Sequence, residues 1–483
     1  MNSLMKRYAK LLLAPMILLS ASCNKLLDIP ETDLIAGPLA LKTVSNCEQG
    51  VIGGYAALGV EMPILLNATF SDEVKKSEFY NAGTTHEWQY GTVDVGIRDN
   101  FTAMRPNYRI VDRVNRVLAA LPVADSLKPA DNTALRNRVK GEALFLRAFA
   151  HFEVFRYYCG PYAAGELAMP YMEVSSLDVA ARITMEPYFQ KLLKDITDAK
   201  ALLPSSLTGD NINRATKAAA SALEARIKLY MEDWAGAEAA ATEYINQLPL
   251  SPIDEFVGLW KDQNTNETAF RLVRTTTLRM GSLWRGTSAN ANNIGTVTWM
   301  PTDKLWDMYD QANDVRFEAY LKDEPLLSSK GRPSKIIQKY AGTDYGTANE
   351  NVNNAKVFRT GEMYLIRAEA RAEQNRVSGA NSASSDLNAL RAARITGYLA
   401  EVFASKDAVI AAIMDERFKE LCYEGHRFWD LKRRGLPVAR RADEAPSTTA
   451  VTLPAGNFRF LLPIPNVEMQ ANPLMEQNPG YGD

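Results

Sequence analysis

The chain has 483 residues, 46% of them hydrophobic and 23% charged, a composition that supplies a large buried core and excludes disordered, fibrous and multi-spanning classes. A formal charge of −2, with Lys and Arg scattered along the chain, leaves no basic excess for phosphates and argues against nucleic-acid binding. Four cysteines without a C-x-x-C pair and three dispersed histidines offer neither zinc-ligand spacing nor a redox motif, so no metal or cofactor is expected.

Lys6, Arg7 and Lys10 precede the apolar run Leu11 to Leu19, which is too short to span a bilayer as a mature helix and reads as an export signal. The run ends in Ser20-Ala21-Ser22-Cys23, small residues leading into a cysteine. This is similar to a bacterial lipoprotein cleavage site, except that Ser20 stands where leucine is preferred. The reading is a signal peptide over 1–22 and acylation of Cys23; the alternative is an ordinary secretory signal beside a coincidental cysteine. More than one acyl chain gives a stable anchor, since each buried methylene contributes about 0.8 kcal/mol. No other apolar stretch is read as reaching transmembrane length, which predicts a soluble remainder. Once Cys23 is modified, Cys47, Cys159 and Cys422 form an odd set. At least one free, buried thiol is therefore expected, and a disulfide between two of them stays open.

Residues 23–42 read as a tether and entry to the fold, and helical periodicity starts near Thr43. Arg105 to Leu121 and Val139 to Tyr158 are amphipathic candidates; in the second, Ala143, Leu146, Ala150 and Val154 share one face. The segment Ala215 to Met231, a turn at Glu232-Asp233 and a second helix through Ile245 resemble a tetratricopeptide unit. Ala225 and Ala237 supply small residues at the helix crossing, Trp234 precedes the second helix and Pro249 closes it. A weaker copy runs from Glu362 through Ala370, across the polar loop Ser378 to Ser385, into Asp386 to Ala393. Between the two helical parts, 250–354 is less regular and rich in Trp, Asn, Thr and Gly, with short strands expected around Phe270 to Thr275. Function-bearing loops belong there.

Asp415, Glu416, Glu420 and Glu424 set carboxylates at helical spacing beside Arg417 and Arg427, and a glycosidase needs a carboxylate pair. A catalytic pair usually comes from separate elements across a cleft, so a helix laced by charge pairs three and four residues apart is the favoured reading. No G-x-S-x-G elbow, phosphate-cradling glycine loop or H-E-x-x-H helix accompanies them. His426 is expected to be buried and structural. Aromatic rings in loops are a different signal, because sugars pack their C–H faces on them. Trp88 and Tyr90 share a face if their segment is extended, and Trp284 follows Gly281 and precedes the polar run Ser288 to Asn293. These three are the candidate ligand contacts, with core packing the equally open alternative. Trp234, Trp306 and Trp429 lie in helical patterns and read as core.

The blocks Asp415-Glu416-Arg417, Glu420-Leu421 and Glu424-Gly425-His426-Arg427-Phe428-Trp429-Asp430-Leu431 resemble the SusD/RagB family. So does the ending Leu462-Pro463-Ile464-Pro465, Glu468, Asn472-Pro473 and Gln477-Asn478-Pro479-Gly480-Tyr481. Gly141-Glu142-Ala143, Arg214-Ala215-Thr216-Lys217 and Glu362 to Ala370 are similar to its scaffold helices, and Leu26-Leu27-Asp28-Ile29-Pro30 to its segment after the lipidated cysteine. The resemblance implies a mainly α fold: right-handed tetratricopeptide-like helix pairs as scaffold, chiefly 105–249 and 356–435, within a single domain over 43–483. Irregular loops and short strands, about 250–354, would form the ligand face. It further implies a lipid-anchored protein of the cell outer membrane, facing the cell surface. Such a protein is not an enzyme: it binds oligosaccharides or, in some members, peptides and delivers them to a TonB-dependent, SusC-like transporter. These are scaffold motifs, and they assign no ligand-contacting residue.

Overall fold

The structure, a computed structural model, describes residues 40–78, 102–125, 132–208 and 211–481. Cys23, Trp88 and Tyr90 lie outside the described residues. Thr43 caps the first described long helix by accepting from the Asn46 N–H at 3.0 Å, which places α1 (Val44–Ala56) where the periodicity begins. It is followed by α2 (Glu61–Phe70) and by β1 (Val74–Lys76). Val44 to Phe70 taken together are long and apolar enough to cross a membrane, contrary to the expectation that no such stretch follows the signal. The chain breaks between α1 and α2, however, and the two pack on different partners. Helix α1 lies against α3 (Met104–Ala120) and α4 (Thr133–Tyr158), whereas α2 meets α11 (Arg427–Arg433).

Successive packing then builds the scaffold: α3 on α4, α4 on α5 (Met185–Leu202), α5 on α6 (Lys217–Tyr230), α6 on α7 (Trp234–Ile245). Helix α7 meets α8 (Thr360–Glu373), which packs on α9 (Ala383–Ala392) and α10 (Lys406–Glu420). Both expected helix pairs are present. In the first, Asp233 caps α7 through the Gly236 N–H at 3.0 Å, and Glu232 takes a left-handed turn at φ +58. Ala222, Ala225, Ala237 and Ala241 are fully buried at the crossing, where larger side chains would hold the backbones apart. In the second, Ser382 and Ser385 form a reciprocal capping box at the start of α9.

Two expectations need correction. Helix α4 is not one-faced: every residue from Gly141 to Tyr158 is buried, so it runs through the core. Its charges survive there by pairing. Arg147 donates from Nε and Nη2 to Asp195 at 2.7 and 2.6 Å, Arg156 pairs with Glu153, and Glu142 accepts from Arg214. Nor are the carboxylates of α10 held by pairs along their own helix. Glu416 accepts from Arg316 at 2.5 Å and Arg391 at 2.6 Å; Glu420 binds Arg359 and Arg394; Glu424, just beyond the helix, takes Arg359 at 2.8 Å and Lys339 at 2.7 Å. Arg417 reaches Asp430 and Arg427 reaches Asp72. Burial works against ionisation, but the guanidinium groups outweigh it: Glu416 is pulled down to about 2, and Glu420 lies well below the carboxylate range. His426 is buried as expected, and burial with four surrounding arginines holds its imidazole neutral.

Cys47, Cys159 and Cys422 are all free and buried. The expected strand forms as β2 (Thr268–Leu272), antiparallel to β6 (Ala355–Arg359). This ladder closes the loop region on itself and delivers both its ends to the helical scaffold. Two further antiparallel pairs lie in the loop layer, β1 with β3 (Trp299–Pro301) and β4 (Leu321–Asp323) with β5 (Lys335–Ile337).

Candidate functional site

Beyond the β2–β6 clamp, the loop layer is rigid where it meets the scaffold. Asn351 donates its backbone N–H to Ala341 O at 2.7 Å and its Nδ2 to Arg285 O at 3.1 Å, and Gly342 donates to Asn353 Oδ1 at 2.8 Å. These bonds require left-handed backbone at Tyr340 (φ +69), Gly342 (φ +71) and Asn351 (φ +61). A Cβ on Gly342 would run into the Asn349 carbonyl oxygen, so the close approach demands glycine.

Glu350 ties two loops together. Its fully buried carboxylate accepts from Arg285 Nη1 at 2.7 Å and Ser288 Oγ at 2.7 Å through Oε1. Through Oε2 it accepts from the backbone N–H of Ser288 at 2.8 Å and of Gly346 at 2.9 Å. Burial opposes ionisation, yet these donors prevail and hold the carboxyl below its ordinary range.

The tie positions Tyr345. Its half-buried ring has the Arg285 guanidinium 4.9 Å and the Lys322 ammonium 5.5 Å from its centroid, and its hydroxyl donates to Glu324 Oε2 at 2.7 Å. Burial and the Glu324 carboxylate push the phenol upward, so it stays a neutral donor. The ring borders a groove of about 520 Å³ lined also by Lys261, Gln263, Lys322, Gln338, Thr343 and Asp344. One aromatic edge among amides, a hydroxyl, ammonium groups and a carboxylate suits a hydroxyl-rich ligand: the polar groups satisfy its hydroxyls and the ring takes an apolar face.

A larger groove of about 690 Å³ lies between the start of α3, residues 170–180 and residues 465–475. It is the more apolar of the two, with Val179, Val467 and Met475 in its wall. Its one ring, Tyr108, is committed to packing, edge-on to His151 with its hydroxyl on Pro170 O at 2.8 Å. The α10 carboxylates line neither groove.

Trp284 is not where a ligand contact should be. It is 1% exposed, tilted against Tyr423 at 5.2 Å, and its carbonyl accepts from the Thr298 and Trp299 N–H groups. It follows the helical turn Met280–Leu283, and the polar run after it forms the exposed part of the loop. Sequence reasoning missed Tyr345, although the residue falls inside the region marked as function-bearing. Its available signal was an aromatic bracketed by Gly342 and Gly346 in an otherwise polar stretch. Trp234, Trp306 and Trp429 all pack into the core, Trp234 at its edge.

Two family models match the chain. One, described as the SusD family, covers residues 271–481; the other, described as starch-binding and associating with the outer membrane, covers residues 51–229. SusD-like protein P2 of Formosa agariphila is 25% identical, over 99% of this chain and 100% of the relative. SusD-like protein P25 of the same organism is 22% identical, over 95% and 97%. A SusD superfamily crystal structure from Bacteroides thetaiotaomicron superposes with a TM-score of 0.76 at 22% identity, covering 90% of this chain and all of the other. A laminarin-binding SusD-like protein gives 0.71 at 22% identity, covering 91% and 100%.

Proposed function

The chain belongs to the SusD family, and from that premise we propose that it binds a nutrient oligosaccharide in the Tyr345 groove and hands it to a TonB-dependent, SusC-like transporter at the outer membrane. In this reading the protein is held to the membrane by acylated Cys23, faces the cell surface and catalyses nothing. The observation that carries it is the half-buried Tyr345 ring, fixed by buried ionic ties beside a rim of amide, hydroxyl and charged groups. The kinship with a laminarin-binding protein of the same fold, and with a family described as starch-binding, supports a glycan as the ligand class.

Trp88 and Tyr90 remain in the proposed ligand set. They lie outside the described residues; the last described residue before them, Glu78, donates its N–H to Val297 O at 3.1 Å and accepts from Val297 N–H through Oε2 at 2.8 Å. Val297 belongs to the small apolar cluster on which Tyr345 packs, so Glu78 is joined to the layer that builds the groove. Trp284 supports this layer from beneath and is not proposed as a contact.

Isothermal titration of the chain with laminarin, starch and xylan oligosaccharides, and with mixed peptides, tests the reading. One glycan class is expected to bind, and Tyr345→Ala to weaken it roughly tenfold, about 1.4 kcal/mol. Binding of peptides alone, or a glycan affinity indifferent to Tyr345, rejects it.

A further inference from the structure

Helix α3 carries four arginines and a single carboxylate, Asp112. At about 100° per residue, Arg105, Arg109, Arg113 and Arg116 fall within about 80° of arc and run about 17 Å along the helix axis. All four are exposed, on the side away from the buried Ile110, Val111, Val114 and Val117. Asp112 accepts from Arg116 Nε at 2.9 Å, and Arg113 donates to Gly53 O at 2.7 Å. The guanidinium groups of Arg105 and Arg109 form no ion pair or hydrogen bond among the described residues. Helix α1, packed alongside, brings one carboxylate, Glu48, and that is committed to Arg138 and Arg214. Asp178 and Glu468 share the wall of the larger groove with Arg105 but do not pair with it. A chain with no overall basic excess thus presents one local cationic stripe.

The segment that follows α4 lies along the same helix. Tyr108 donates its hydroxyl to Pro170 O at 2.8 Å, Asn115 Nδ2 donates to Met172 O at 2.9 Å, and Ser175 Oγ donates to Asp112 Oδ1 at 2.5 Å. The one carboxylate of α3 therefore holds both Arg116 and this segment. Val174, Leu177 and Val179, on either side of that tie, are 65%, 101% and 45% exposed. Single exposed aliphatics are ordinary, but three within one short segment beside a row of arginines mark an interaction surface.

The entry of the chain into the fold lies at the far end of α3. Leu41 packs on the core there, since a Cβ on Gly50 would meet both Leu41 and Val117 of α3, and the Lys42 carbonyl accepts from the Asp125 N–H at 2.9 Å. Lys42 is exposed and adds a further cation. Resting on the reading that acylated Cys23 anchors the chain, we propose that the α3 face lies on the membrane itself: its arginines contact the phosphates of anionic lipid headgroups, and Val174, Leu177 and Val179 enter the boundary between headgroups and acyl chains. A guanidinium pairs with phosphate through a fixed fork of donors, and aliphatic side chains beside it favour a polyanion that has an apolar interior. The anchor, joined to the same helix, raises the local concentration of the stripe at the surface, so contacts that are weak singly suffice.

The test uses the mature chain in its acylated form and the same chain with Cys23→Ser, which carries no lipid. Each is sedimented with vesicles of phosphatidylcholine alone and of phosphatidylcholine mixed with phosphatidylglycerol. The Cys23→Ser chain is expected to pellet with the anionic vesicles and not with the neutral ones, and to be released as salt is raised. Adding Arg105→Gln and Arg109→Gln to it should weaken that binding on the order of tenfold, since a cation at an anionic surface is worth on the order of fivefold, and Leu177→Ser should weaken it as well. Circular dichroism confirms that the variants are folded. Equal pelleting with both vesicles, or binding indifferent to the arginines, overturns the proposal. So do arginine variants that bind vesicles normally but no longer co-purify with a membrane transporter, an outcome that assigns the face to a protein partner. If mass spectrometry finds Cys23 unmodified while the Cys23→Ser chain still selects anionic vesicles, the anchor reading falls and the membrane face stands.

Discussion

A charge buried at one residue can hold a surface loop in shape. Glu350 receives four donors from two loops, and its replacement by Gln would leave Arg285 buried without its anion. Breaking such a pair costs about 3–5 kcal/mol; Glu350→Gln should lower stability by that order in urea denaturation and abolish glycan binding in the same preparation. The sign of its pH dependence follows from the lowered carboxyl. The stabilisation is complete above the unfolded glutamate value of about 4.3 and is lost as pH falls through the lower folded value. Single residues were also where the sequence misled. Trp284 and Tyr345 sit in equally polar, glycine-flanked stretches, and nothing local says which ring turns inward. That choice is made by Tyr423 beneath the one and by Arg285 and Glu324 around the other, contacts distant in sequence.

Among elements, helices and their ends were legible because caps and small-residue crossings are local signals. The α6–α7 unit follows its expected bounds to within two residues, and the alanines marked for its crossing are fully buried. Ala225→Leu or Ala237→Leu should overpack it and cost about 1–3 kcal/mol, read as a lower midpoint in thermal unfolding with secondary structure retained. The role of α10 was not legible, because its carboxylates answer to Arg316, Arg359 and Arg394, which lie in other segments. Helical spacing reports which residues share a face, and it cannot report what that face meets.

Across the whole molecule, helix pairs form a wall whose core contains many compensated charges, and the loop layer is clamped to it at β2–β6. Asp72, Glu416, Glu420 and Glu424 all lie below their ordinary ranges, in each case because cationic partners outweigh the burial that opposes ionisation. Their shared contribution is present above pH of about 4.3 and falls away as each protonates, Glu416 near pH 2. The fold should therefore unfold cooperatively on acid titration, followed by tryptophan fluorescence; full native signal at pH of about 2 would contradict the network's role. Composition argued against nucleic-acid binding, and the periodic segments revealed the scaffold. The proposed ligand face stayed obscure because its groove is assembled from residues 261, 322, 338 and 345, which no periodicity relates. The most direct measurement is a crystal structure of the chain with the oligosaccharide that titration selects. The sugar is expected to lie against Tyr345 with its hydroxyls on the groove's amide and charged rim. Density instead in the apolar groove beside Tyr108, or at neither place, would contradict the account.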